Sequence, residues 1–157
     1  MCGIAGHLGH RSVAPLGDSV LDALRHRGPD AQRTERCAVG DVIADLAFAR
    51  LAIVDLSAAG EQPMTNEDGR FTLVFNGEIY NSPALRAECE RAGHQFRSSM
   101  DGEVILHMWE MEGPSALGRL NGIFAVALLD SATGEIFLAR DPLGVKPLVY
   151  AEASGEL

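Results

Sequence analysis

The 157-residue chain carries a formal charge of −9 and is 46% hydrophobic, enough apolar content to build one sizeable core and a single domain. That acidity, without any dense basic run, argues against a general nucleic-acid or anionic-membrane surface, and no apolar stretch approaches the ~20 residues of a membrane-spanning helix. The three cysteines, Cys2, Cys37 and Cys89, cannot all pair within one chain and lack metal-framework spacing; with no secretory pattern at the amino terminus, a reducing, cytoplasmic setting is expected.

In chain order, Cys2 to Leu8 reads as a short buried strand. Pro15 to Arg25 places Leu16, Val20, Leu21 and Leu24 on one side of a helix, which Gly28 and Pro29 stop. Ala38 to Ile43 and Asp45 to Leu56 have the β-branched and apolar content of strands, and Ser57 to Gly69 reads as a long connection with local turns. Phe71 to Phe75 is a stronger strand, followed by Asn76-Gly77, a pair suited to a tight hairpin turn. Pro83 to Ala92 sets Leu85, Glu88, Cys89 and Ala92 at helical intervals with Gly93 at its end, and assigns Cys89 to the apolar face. Asp101 is placed to cap a helix beginning near Gly102, whose Val104, Ile105, Met108 and Met111 form a core-facing stripe. Ile123 to Leu129 and Glu135 to Arg140, joined by the turn-rich Asp130 to Gly134, should pair antiparallel; Asp141 to Gly144 then turns the chain before Val145 to Tyr150. These elements indicate a mixed helix-and-strand domain with substantial antiparallel sheet rather than a βαβ series.

Loss of Met1 before the small residue Cys2 would leave a thiol and an α-amine on one residue. A free α-amine titrates at about 7.7–8.0 and an ordinary thiol near about 8.5, so the two can manage a proton near neutrality. By position alone, Cys2 is equally an ordinary buried cysteine behind an initiator methionine. The wider pattern decides between them. Cys2-Gly3-Ile4-Ala5-Gly6, Arg27-Gly28-Pro29-Asp30, the run Ala47 to Ser57, Gln62-Pro63, Phe75 to Asn81, Asp101 to Ile105, Leu120 to Ala125 and Leu138 to Leu148 together resemble the glutaminase domain of class II glutamine amidotransferases, particularly the asparagine synthetase branch. The resemblance covers nearly the whole chain.

The resemblance implies an α+β N-terminal nucleophile hydrolase fold, two packed antiparallel β-sheets flanked by helices (αββα), spanning residues 1–157 and ending before part of the usual domain. By correspondence, Cys2 attacks the side-chain amide of glutamine with its own amine as base, forming a thioester and ammonia before water releases glutamate. Asn76, through its side chain, and Gly77, through its N–H, correspond to the oxyanion donors. Arg50 corresponds to the partner of the substrate α-carboxylate and Asp101 to that of its ammonium group, with Glu78 a further polar residue of the pocket. Arg27, Gly28, Pro29 and Asp30 shape or close the pocket edge, with Arg27 and Asp30 as a candidate pair; a purely structural loop is the alternative. From residue type alone, Arg50 is a surface strand residue, Asp101 an N-cap and Glu78 a solvated turn acid.

Two positions depart from the family pattern: Phe48 stands where histidine is frequent, and Met100 where serine commonly precedes the matching aspartate. No Ser-Gly-Gly-x-Asp-Ser segment, the mark of the synthetase module, occurs. The partners implied are glutamine and an ammonia-accepting synthetase domain or subunit; the alternative is a degenerate regulatory or interaction domain retaining the fold. The chemistry requires no cofactor and no metal, and His7, His10, His26, His94 and His107 form no ligand constellation by spacing.

Overall fold

The computed structural model describes residues 2–10, 14–53, 55–153 and 155–157. Met1, whose removal the sequence reading requires, and Val54 of the expected 45–56 strand lie outside them. Ten elements follow in order: β1 (Gly3–His10), α1 (Asp18–Leu24), β2 (Ala31–Val39), β3 (Val42–Arg50), β4 (Met64–Thr65), β5 (Phe71–Ile79), α2 (Ser82–Ala92), α3 (Glu103–Glu112), β6 (Gly122–Asp130) and β7 (Glu135–Arg140). Short 3-10 turns at Ala58–Gly60 and Gly113–Arg119 complete the chain path.

The strands form two antiparallel sheets, ordered β1-β3-β2 and β4-β5-β6-β7. Their facing sides bury Ala44, Leu46 and Phe48 of β3 against Val74 of β5 and Ala127 and Leu129 of β6, with Cys2, Ile4 and Leu8 packed alongside. These residues recur at every second position, as one face of a strand requires. The opposite face of the second sheet, carrying Phe71, Leu73, Phe75, Phe124, Val126 and Leu128, packs on Leu85 and Cys89 of α2 and on Val104, Ile105 and Met108 of α3. Helix α1 covers the outside of the first sheet, where Leu24 abuts Gly3 and the Leu21 carbonyl accepts a hydrogen bond from Gln32 Nε2 at 2.7 Å. The architecture is therefore α+β, two antiparallel sheets flanked by helices. Beside β1, Leu8 and Leu157 exchange both main-chain hydrogen bonds at 2.8 Å, so the last residue runs along the edge of the first sheet.

Most expected elements are present, with three informative differences. The strands expected over residues 38–43 and 45–56 are displaced: 38–43 spans the end of β2, a turn at Gly40-Asp41 and the start of β3, so that β2 lies earlier, at Ala31–Val39, and β3 ends at Arg50. The Gln32-Arg33-Thr34-Glu35-Arg36 sequence of β2 masks that strand because it forms a half-exposed edge, where apolar alternation is not required. Asn76-Gly77 is not a turn: both residues lie inside β5, opposite Ala125 and Phe124. Glycine is required at position 77 by close approach, since a Cβ there would sit 2.2 Å from the Ile123 carbonyl oxygen. Asp101 does not cap α3 with its side chain, because Gly102 holds the N-cap position without a side-chain cap bond.

Leu46 is fully buried between the sheets. Leu46→Ala should lower unfolding free energy by about 2–5 kcal/mol, measured by denaturant titration; a loss below about 1 kcal/mol would show that the inter-sheet layer is not close-packed.

Candidate active site

Strand alternation carries the inter-sheet rows onward to one end of the sandwich. Arg50 continues the 44-46-48 row of β3, Asn76 the 72-74 row of β5, and Cys2 the 8-6-4 row of β1. The pairing of Gly3 with Ala49 makes Cys2 and Arg50 the next step of the same ladder. There the apolar side chains give way to a cavity of about 170 Å³ lined by Cys2, Arg50, Asn76, Gly77, Glu78 and Asp101. Phe48 and Met100, the two departures from the family pattern, also line it; they make part of its wall apolar without displacing any of those six.

The Cys2 sulfur is docked on one residue: the Leu51 N–H donates to Sγ at 3.4 Å, and Sγ lies 3.6 Å from the Leu51 carbonyl oxygen. Arg27 Nε donates to the Cys2 carbonyl at 3.2 Å, fixing the main chain of the same residue. The Arg27–Asp30 segment does not itself line the cavity, and Arg27 and Asp30 act separately. Asp30 accepts a 2.8 Å hydrogen bond from the Ala52 N–H through its side chain and donates its own N–H to the Arg50 carbonyl at 3.0 Å. Gly28 presses on the backbone of Ala49, where a Cβ would fall 2.2 Å from the carbonyl. Together with exposed Pro29, the segment is a backing for the end of β3.

On the other wall, β4 covers the outer edge of β5 only at Thr72 and Leu73, and beyond it side chains finish that edge. Gln62 imitates a strand neighbour of Phe75, accepting from its N–H at 2.5 Å and donating Nε2 to its carbonyl at 3.1 Å. Four residues on, the Ile79 N–H donates to Asp101 Oδ2 at 2.6 Å. Alternation along an antiparallel strand sends the Gly77 N–H in the same direction as those of Phe75 and Ile79, between the two clamps. Asp101 Oδ1 is buried with no hydrogen-bond partner. Burial, and after it the neighbouring charge of Glu78, raise the Asp101 pKa above its ordinary value despite the stabilising backbone N–H of Ile79.

Arg50 is buried and tied to the 55–61 loop: Nη2 donates to the carbonyls of Asp55 and Ser57, the latter at 2.9 Å, and Nη1 lies 4.0 Å from Glu61. Asp55 in turn joins that loop to the one carrying Asp101. Its carboxylate accepts from the Ser57 N–H and hydroxyl at 2.8 and 2.6 Å, and from the Ser99 N–H and hydroxyl at 2.9 and 3.0 Å. The Ser57 hydroxyl first, and then the backbone N–H groups of Ser99 and Ser57, hold its pKa well below the usual carboxylate range. Sequence reasoning assigned no role to Asp55, Gln62 or Lys146, all of which line the cavity; the signal lay in the quoted segments that contain them.

The remaining cysteines differ from Cys2 in setting. Burial, followed by the adjacent Glu88, pushes the Cys89 thiol up to about 11, and burial likewise raises Cys37, so both resist ionisation near neutrality. The reading of the histidines needs correction: His94 and His107, thirteen residues apart in sequence, have ring centroids 5.0 Å apart and lie with Glu67 and Glu110 in one cluster. No helix among the described residues is long and apolar enough to cross a membrane.

Comparison with known proteins places the chain in a family. Asparagine synthetase [glutamine-hydrolyzing] 2 of Bacillus subtilis is 37% identical over 165 residues, covering 100% of this chain and 21% of the relative. Asparagine synthetase [glutamine-hydrolyzing] of Sandersonia aurantiaca is 46% identical over 152 residues, covering 94% of this chain and 28% of the relative; the chain thus spans about a quarter of these relatives. The glutamine phosphoribosylpyrophosphate amidotransferase of B. subtilis, solved with ADP and GMP, superposes with a TM-score of 0.72 at 19% identity, covering 97% of this chain and 40% of that one, a likeness of fold. A family model described as glutamine amidotransferase domain matches residues 1–157, and the chain belongs to that family, as a class II, N-terminal nucleophile hydrolase domain related to the glutaminase domains of asparagine synthetases.

Proposed function

We propose that this domain hydrolyses the side-chain amide of glutamine through a thioester on Cys2, delivering ammonia to a synthetase domain or subunit. The observation that carries the reading is that one 170 Å³ cavity is lined by Cys2, Gly77 of β5, buried Arg50 and Asp101, whose buried Oδ1 has no partner. A zwitterionic amino acid with an amide at its far end needs each of these groups.

With Met1 removed, the Cys2 α-amine takes the thiol proton while sulfur attacks the amide carbon. The Asn76 side chain and the Gly77 N–H donate to the oxyanion. Collapse expels the amide nitrogen, which leaves as ammonia after receiving the proton from the amine. Water, deprotonated by the same amine, then cleaves the thioester to glutamate and restores the thiol. At the other end of the substrate, Asp101 Oδ1 accepts from the ammonium group. Arg50 Nη2 holds the 55–57 loop, which leaves Nη1, beside Glu61, as the donor to the α-carboxylate. Glu78 lines the same cavity. The names of the relatives support glutamine as substrate, and their greater length supports a synthetase module as the destination of the ammonia.

Protein verified by intact mass to begin at Cys2 should release glutamate and ammonia in near-equal amounts, tested with the synthetase partner present as well as without it. Cys2→Ser should lose on the order of 10³-fold or more in kcat while glutamine affinity, measured calorimetrically, changes far less. Turnover that survives in Cys2→Ser, or its absence from correctly processed wild type with its partner, would contradict the reading.

Asp101 supplies a pH dependence of definite sign. Its raised pKa means that the free site is protonated at a higher pH than an ordinary carboxylate near about 3.9, and the ionised form holds the ammonium group more strongly than the neutral acid. KM for glutamine should therefore rise as pH falls through the Asp101 pKa and level off above it. Asp101→Asn should raise KM throughout and abolish this acid limb; a limb unchanged in that variant would assign it to another group.

A further inference from the structure

Outside the cavity, four side chains from three separate segments meet: Glu67 in the β4–β5 connection, His94 just beyond α2, and His107 and Glu110 one turn apart on α3. One potential ligand atom from each lies within 4.8 Å of all the others. His94 Nδ1 is 3.3 Å from Glu67 Oε1 and 3.5 Å from Glu110 Oε2. His107 Nδ1 is 3.2 Å from Glu67 Oε2 and 3.5 Å from the same Glu110 Oε2. Four ligands arranged tetrahedrally about a cation at ~2.0–2.1 Å would be separated by roughly 3.3–3.4 Å; these contacts, which reach both oxygens of Glu67, run from 3.2 to 3.5 Å.

A second observation is independent of those distances. His107 is 1% exposed, yet neither ring nitrogen has a hydrogen-bond partner, and Glu110 Oε2 is also buried and unpartnered. Protonated imidazoles would balance the two carboxylates in charge, but on His107 both N–H groups would remain without an aligned acceptor, an expensive arrangement in a buried site. A cation relieves the part of this conflict that faces the cluster, because neutral Nδ1 and the Glu110 Oε2 carboxylate oxygen are both its natural donors.

The surroundings fit this role. Asn66 Nδ2 donates to Glu110 Oε1 at 2.7 Å, leaving Oε2 turned into the cluster, and the Gln95 N–H donates to Glu67 Oε1 at 2.9 Å. The Phe96 ring packs edge-on against His107 with centroids 4.3 Å apart. Behind His107 Nε2, Glu103 Oε1 lies at 3.7 Å, on the side where outer carboxylates orient metal-bound imidazoles. Glu67 is exposed and gives the cluster an entry path from solvent.

We propose that Glu67, His94, His107 and Glu110 form a structural site for a divalent transition cation, with zinc the ion best matched to two imidazoles and two carboxylates. Four protein ligands leave no open coordination position, so the ion acts as a staple joining the 66–69 connection, the end of α2 and α3.

The direct test titrates ZnCl2 into chelator-treated full chain by calorimetry and follows the melting temperature of the same samples. Wild type and Cys2→Ser, which removes the competing terminal thiol, should each bind one equivalent and melt at a higher temperature with zinc. His94→Ala and Glu67→Gln should each weaken binding by more than the ~10–100-fold attributed to the loss of an outer-shell contact, and circular dichroism checks that each variant folds. Should His94→Ala fail to fold, the solvent-facing Glu67→Gln gives the same reading. Absence of zinc binding and of a thermal shift in wild type, or binding that Cys2→Ser abolishes and Glu67→Gln leaves intact, would overturn the proposal.

Discussion

Two sheets packed face to face constrain each strand to alternate between an apolar inward row and an outward row, and the cavity lies where three inward rows run out of apolar residues. Cys2, Arg50 and Asn76 continue the Ile4, Phe48 and Val74 rows. Their convergence is thus a consequence of register. A one-residue slip of β1 against β3 would turn Cys2 to the opposite face of the sheet while leaving the hydrogen-bond ladder largely intact. Gly28 and Arg27 oppose that slip: the first packs on the Ala49 backbone, and the second holds the Cys2 carbonyl.

Polar side chains finish what the strands leave open. Gln62 serves Phe75 as a missing strand neighbour would, Asp101 takes the Ile79 N–H, and Asp55 gathers Ser57 and Ser99 while its carbonyl receives Arg50. These contacts place the 55–62 loop and the 98–101 loop against the same edge of β5. The carboxylate of Asp55 is fully engaged by four donors and is strongly favoured as an anion, whereas Asp101 keeps one buried oxygen unpartnered and has a raised pKa. Two aspartates lining the same cavity therefore differ: Asp55 is fully committed to holding the frame, whereas Asp101 keeps one buried oxygen unsatisfied.

How much of this was legible in the sequence depended on burial. The β6–β7 hairpin and α2 were readable because Ile123 to Leu129 is buried at nearly every position and Gly93 ends α2, whereas exposed β2 carries no comparable pattern. Asn76-Gly77 was misread as a turn because the pair is compatible with two conformations, and only the contact with Ile123 and Phe124, distant in sequence, selects the strand. The site residues emerged from ordered motifs rather than from periodicity. Even there Asp55 and Gln62 had no distinguishable role, since their partners lie 44 and 13 residues away. Glu67, His94, His107 and Glu110 left no local spacing signal, because three elements must fold before they meet.

The proposed chemistry requires the cavity to recognise both charged ends of glutamine while presenting its amide to Cys2. Labelling with a glutamine analogue bearing an electrophilic diazoketone in place of the amide, mapped by mass spectrometry on protein that begins at Cys2, tests it most directly. A single adduct on Cys2 is expected, formed more slowly in the presence of glutamine but not of N-acetylglutamine, which lacks the ammonium group. An adduct on Cys37 or Cys89, or equal protection by the acetylated compound, would contradict it.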